Sequence, residues 1–163
     1  MRLKISLMFI FLLLMAPSWS FADIFGLKTK ASAGGSMPPS NFFSFAEDGS
    51  GFTDYGPLKL DGNDVDLDAL AYSPAFGFRA YELRHDASYN VTGSRLVSIN
   101  QQNLTITPLS EFQDNRNIRG AVWVNNDLWV LDAKSSQLLK VNPDTGAVLS
   151  AMTLTPAFSD CCD

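Results

Sequence analysis

The chain has 163 residues, 46% of them apolar and 18% charged, which suits one packed domain, or two at most, and excludes wholesale disorder. Its 17 Asp+Glu against 12 Lys+Arg leave a net charge of −5, the wrong sign for a protein that holds nucleic-acid phosphates. One His and two adjacent Cys (Cys161 and Cys162) are too few for a four-ligand Cys/His zinc centre, and any Ser-His-Asp or Cys-His catalytic set would have to use His85.

Residues 1–22 read as a secretory signal peptide. Arg2 and Lys4 form a short positive head, residues 7–15 are an unbroken apolar run, and Ser20-Phe21-Ala22 supplies small residues for cleavage before Asp23. The apolar core is too short for a bilayer span, which needs about 20 residues. No later stretch is long and apolar enough to span either. A secreted or periplasmic chain, off the membrane once cleaved, is therefore expected. That compartment permits disulfides. Vicinal Cys161 and Cys162 would close a strained ring, and they read as dispensable.

Residues 23–40 contain Ala31-Ser32-Ala33-Gly34-Gly35-Ser36 and Pro38-Pro39, and read as a flexible leader. From residue 41 to 163 short apolar runs alternate with Asp, Asn, Gly, Pro and Ser clusters, the pattern of many short strands. Asn41-Phe42-Phe43-Ser44-Phe45 and residues 52–58 form a first pair. Residues 69–72, 77–81, 94–100 and 105–107 form four strands, with a longer loop predicted over residues 84–93. Residues 120–124, 128–131, 137–142 and 147–154 form four more. Asn125-Asn126-Asp127 and Pro143-Asp144-Thr145-Gly146 are their turns: Pro presets φ and Gly accepts positive φ.

The strands repeat. Ser94-Arg95-Leu96-Val97-Ser98-Ile99-Asn100 recurs 42 residues later as Ser136-Gln137-Leu138-Leu139-Lys140-Val141-Asn142. Ala69-Leu70-Ala71-Tyr72 parallels Gly120-Ala121-Val122-Trp123. A four-stranded meander repeating at about 40–50 residues is the signature of a β-propeller blade, because one meander cannot bury both of its faces alone. The fold class expected is all-β: four-stranded antiparallel meander repeats in a partial β-propeller of two blades plus a half-blade, the half-blade being the outer pair near the N-terminus.

Ile118-Arg119-Gly120-Ala121, Asp127-Leu128-Trp129-Val130-Leu131-Asp132, Leu138-Leu139-Lys140-Val141-Asn142-Pro143-Asp144-Thr145-Gly146 and Asp66-Leu67-Asp68-Ala69-Leu70-Ala71-Tyr72 resemble blades of secreted bacterial propellers of the NHL-repeat, strictosidine-synthase-like and phytase esterase-like types. The resemblance covers residues 41–154 and implies architecture more than activity, since such blades carry binding, lactonase, esterase and structural roles. A closed propeller has four to eight blades. The sequence is therefore expected to be an incomplete propeller whose unclosed blade edges self-associate.

Asp61-Gly62-Asn63-Asp64-Val65-Asp66-Leu67-Asp68 offers carboxylates to a hard cation, but it fails the EF-hand spacing and reads as a polar turn entering a strand. His85 sits in Arg84-His85-Asp86 and reads as a loop histidine, with no Gly-x-Ser-x-Gly elbow to partner it. Asp132 follows a strand and reads as an Asx-turn acceptor near Ser135-Ser136. Arg116 and Arg119 read as solvated or blade-bridging. Trp123, Trp129, Tyr72, Phe78 and Tyr81 read as inter-sheet packing. Asn90-Val91-Thr92 and Asn103-Leu104-Thr105 are glycosylation sequons. These readings assign no catalytic, cofactor-binding or metal-ligating residue and no cofactor. The expected function is an exported, non-catalytic propeller scaffold for a protein or small-molecule ligand. The alternative is a metal-dependent lactonase or esterase-type hydrolase.

Overall fold

The computed structural model describes residues 23–29, 39–155 and 157, and every regular element among them is a β-strand. Strands β1 (Asp23–Thr29), β2 (Ser40–Ala46) and β3 (Thr53–Pro57) make a first antiparallel sheet. The second sheet holds β4 (Lys59–Leu60), β5 (Asn63–Asp64), β6 (Leu67–Ser73), β7 (Gly77–His85), β8 (Val91–Asn100), β9 (Thr105–Pro108) and β10 (Gln113–Asp114). Its order is β5-β4-β9-β8-β7-β6, with β10 pairing the start of β8. The third is the meander β11 (Ile118–Val124), β12 (Asp127–Asp132), β13 (Gln137–Val141) and β14 (Val148–Thr153).

The all-β class and both four-strand meanders follow the sequence pattern, and the arrangement is compatible with a partial propeller-like fold. Period-two burial is clearest in β6: Leu67, Ala69, Ala71 and Ser73 are buried, while the residues between them are not. Asn125 and Asn126 take positive φ of 51° and 66°, which gives the β11–β12 hairpin a turn that matches strand twist. At Gly146 φ is +68°, and a Cβ there would sit 3.0 Å from the Ser110 Cβ, so glycine is required twice over.

Three expectations change. Asp23–Thr29, placed above in the flexible leader, pairs along its whole length with β2. Phe25 explains why: its ring lies 5.7 Å from Phe42 and 4.9 Å from Phe78, inside the first core. The N-terminal pair is accordingly a three-stranded sheet. The long loop expected over residues 84–93 shrinks to residues 86–90, because β7 and β8 extend toward each other as a hairpin. Residues 1–22, with their signal peptide, and Cys161 and Cys162 lie outside the described residues.

The sheets stack, and two cores fill the gaps. Phe42, Leu58, Phe78, Val97 and Ile99 are central between the first and second sheets. Tyr81, Leu96, Leu128, Val130 and Leu139 are central between the second and third. The middle sheet is thus covered on both faces, as a meander with apolar residues at successive positions requires. Buried Ser40 latches the first gap: its Oγ accepts from Leu67 N (2.9 Å) and donates to Leu67 O (3.2 Å). Arg79 latches the second, donating from Nε to Pro143 O at 2.8 Å and from Nη2 to Asp144 at 3.3 Å.

Candidate functional site

Strands β6, β8, β11 and β13 begin at one end of the stack, where β7 and β12 finish. The residues singled out from the sequence meet there. Asp66 and Asp68 enter β6, His85 closes β7, Arg116 and Arg119 flank the start of β11, and Asp132 closes β12. Alternation along β6 buries Val65, Leu67 and Ala69 and leaves both carboxylates half-buried between them.

Asp66 takes His85: Nε2 lies 2.9 Å from Oδ2, with both side chains largely covered. The other ring nitrogen, Nδ1, faces the Tyr89 carbonyl at 3.0 Å. Asp66 and the Tyr89 carbonyl thus hold the ring from both sides. The loop reading of His85 is replaced by a strand-end residue tied to β6. Adjacent Asp86 has a different task. It accepts from Ser88 N, Asn90 N and the Asn90 side chain, and hydrogen bonds from Asn90 and Ser88 hold its carboxyl below the usual range. The Asn90 sequon therefore starts in a loop fixed by its own hydrogen bonds.

Asp68 takes Arg119 across the gap at 3.2 Å, a bridge between sheets, whereas Arg116 turns to Asp132 of its own meander. A one-residue bulge in each inner strand accompanies it. The β6 register shifts between Asp68 and Ala71, and the β11 register shifts between Ile118 and Gly120. Bulges re-aim side chains, here at the points where the two strands face one another. Ala69 pays for the first with φ of 59°, and Asp68 Oδ1 receives its amide at 2.8 Å.

Asp132 is fully buried and the most connected carboxylate of the group. It accepts from Arg116 Nη1 (2.8 Å), Ser135 Oγ (2.8 Å), Asn117 N (3.1 Å) and Lys134 N (3.2 Å). Burial pushes its carboxyl up, but the bonds from Arg116, Ser135 and Asn117 together outweigh burial and hold it below the usual carboxylate range. The turn-acceptor reading holds and is extended, since Asp132 also fixes the chain entering β11. Nearby, Arg84 pairs with Asp114, and Arg84 and Arg95 lie 5.1 and 4.4 Å from the centre of the Phe112 ring. The polar side chains of this end are held in pairs. Among the described residues no group of three His, Cys, Asp or Glu is placed to hold a metal ion.

The aromatic readings divide. Phe78 and Tyr81 are buried between sheets, and Trp123 stacks on Phe76 at 5.0 Å in the second gap. Tyr72 is 53% exposed, although its ring packs 4.7 Å from Phe78. Trp129 is not between sheets. Its register neighbours Val122 and Lys140 place it on the face of the third sheet turned away from the second. Ser94 Oγ and Asn117 Oδ1 are buried without a protein hydrogen-bond partner, which no sequence signal announced. No protein-family model matches the chain, and no curated protein matches it.

Proposed function

We propose that this protein is an exported, propeller-type binding scaffold rather than a hydrolase. One observation carries the reading: the charged side chains where the sheets converge are spent on one another. Asp68–Arg119 joins the second sheet to the third, and Asp66–His85 and Arg116–Asp132 fix the strand ends on either side of that bridge. A hydrolytic centre needs a carboxylate or imidazole facing substrate, and a divalent cation needs several oxygens free to converge on it. Here Asp66 and Asp68 of the acidic run are already engaged, one by the His85 ring and one by the Arg119 guanidinium. Such locks suit a rigid platform whose ligands meet its faces, edges and loops.

Hydrolysis of lactone and ester substrates by the purified protein, with and without added Ca²⁺, tests this. The expected result is no turnover above buffer in either condition. Hydrolysis that disappears in His85→Ala or Asp66→Asn would overturn the scaffold reading and favour the hydrolase. Export is read from residues 1–22, and N-terminal sequencing of the secreted or periplasmic protein should begin at Asp23.

A further inference from the structure

The two glycosylation sequons lie in the turns at either end of β8, and the binding scaffold described above uses neither. Both asparagines are exposed, and each has Thr two residues on, as N-glycosylation requires. Their amides differ. After β8, Asn103 Oδ1 accepts from Thr105 Oγ1 at 2.7 Å and from Thr105 N at 3.1 Å. A backbone N–H can only donate, so the atom facing it is the oxygen. The amide is therefore oriented: Oδ1 turns back onto the chain, and Nδ2 has no protein partner among the described residues. Before β8 the same groups are committed. Asn90 Nδ2 donates to Asp86 Oδ2 at 3.2 Å, and its backbone N donates to Oδ1 of the same carboxylate at 3.0 Å. The hydroxyl of its sequon, Thr92 Oγ1, donates to the Arg84 carbonyl at 3.1 Å. Thr92 is also half-buried, and its carbonyl accepts from Asn115 N at 2.9 Å.

We infer that Asn103 is an N-glycosylation site of the folded protein and that Asn90 is shielded from the same reaction. The inference rests on the export reading above, because glycan transfer takes place on the exported side of a membrane. The co-substrate is an oligosaccharide carried on a lipid pyrophosphate. In the transfer the Asn103 Nδ2–C1 bond forms and the bond from the sugar C1 to the pyrophosphate oxygen breaks. The lipid pyrophosphate leaves with that electron pair, and the amide gives up one proton to a base of the transferase. The Thr105 hydroxyl assists, since a donor on Oδ1 polarises the amide and makes its N–H more acidic. Asn100, Gln101 and Gln102 beside it are exposed as well, so the turn has room for a sugar. At Asn90 the amide must first leave the Asp86 carboxylate, whose carboxyl that bond holds below the usual range. Hydrogen bonds to an ionised group are among the stronger ones, and transfer at Asn90 is slowed by the cost of breaking this one.

Transfer onto the purified, folded wild-type protein tests the inference. The protein is incubated with an oligosaccharyl transferase specific for Asn-x-Ser/Thr and a lipid-linked oligosaccharide, and site occupancy is followed by peptide mass spectrometry. Asn103 should be modified faster than Asn90 by roughly tenfold or more, the factor for breaking one hydrogen bond to a charged group. Synthetic peptides spanning residues 86–96 and 99–109 lack the fold and should be modified at similar rates, which assigns the difference to structure. Asn103→Gln should abolish most of the transfer, and Asn90→Gln should leave it nearly unchanged. Asp86→Ala frees the Asn90 amide and should raise transfer there, provided its circular-dichroism spectrum is that of wild type; the wild-type comparison stands without it. A folded protein that takes no glycan at Asn103, or takes it at Asn90 equally fast, would overturn the inference. So would the same preference for Asn103 between the two peptides. The transferase is supplied from outside, so this result is separate from the export reading, which N-terminal sequencing decides, and from the scaffold reading, which the hydrolysis assay decides.

Discussion

Asp132 has no exposed surface, and four donors reach its two oxygens. Removing one partner of a buried pair leaves the other uncompensated and costs about 3–5 kcal/mol. Asp132→Asn should lose that much in a urea melt at neutral pH. The pH dependence has a definite sign. The folded carboxyl titrates below its ordinary value of 3.8, so its contribution is complete above that value and is lost as pH falls through the lower, folded one. The stability gap between wild type and Asp132→Asn should therefore be constant near neutrality and close only in strong acid. A gap that closed between pH 6 and 8 would show that another group is responsible. Asp68–Arg119 is a different kind of pair. Its side chains are 36–37% exposed, so it links the two sheets while adding little to their stability.

At the level of strands, legibility followed short apolar runs bounded by turn formers. Leu128-Trp129-Val130-Leu131 and Leu138-Leu139-Lys140-Val141 are such runs, so β12 and β13 could be drawn from sequence to within a residue or two. β1 was hidden because Gly26 breaks its β-propensity and the Gly/Pro-rich stretch after it reads as a leader; the Phe43 ring supplies what Gly26 lacks. The bulge at Ala69 had no signal, whereas Gly120 in a strand interior was a hint of the one in β11. Burial separates residues of similar composition. Phe42→Ala should cost about 3–5 kcal/mol, because its fully buried ring touches Phe25, Tyr55 and Phe78. Phe52→Ala, at 61% exposure, should stay within about 0.5 kcal/mol. Equal losses in a denaturant series would contradict the orientation of the first sheet. Likewise Trp123→Ala should cost about 3 kcal/mol and Trp129→Ala clearly less in a monomer, since only the first ring lies between sheets. Fluorescence-monitored unfolding of the two variants compares them directly.

For the whole molecule, the stacking of meanders was legible because a repeated four-strand pattern has few other ways to bury both faces. The pairing of charges was not. Asp68 meets Arg119 51 positions away and His85 meets Asp66 19 away, and local sequence carries no mark of either partner. Only the types were visible: acids alternating with apolar residues on β6 and basic residues before β11. Which acid met which base depended on strand register and on two bulges.

The crossover from the first sheet to the second has a further consequence. Leu58 leaves β3 fully buried, and the short β4–β5 hairpin then lies along β9, where Lys59 pairs in parallel with Thr105. The two sheets are thus sewn together twice, by side chains across their gap and by backbone along an outer edge. A nick in the exposed turn at residues 47–52 should not release the β1–β2 hairpin, whose Phe25 and Phe42 rings remain against Phe78. A glutamate-specific protease offers three targets: Glu47 in that turn, exposed Glu111, and Glu82 inside β7, where it is paired with Arg95 at 2.6 Å. Cleavage is expected at Glu47 and Glu111 and not at Glu82. The pieces cut at Glu47 should co-elute on a native sizing column and part only in denaturant. If they separate without denaturant, the first sheet is held mainly by the peptide bond and not by its packing. If they stay together, the hairpin is a separable part, and a synthetic 23–47 peptide should restore the native spectrum to a chain that lacks it.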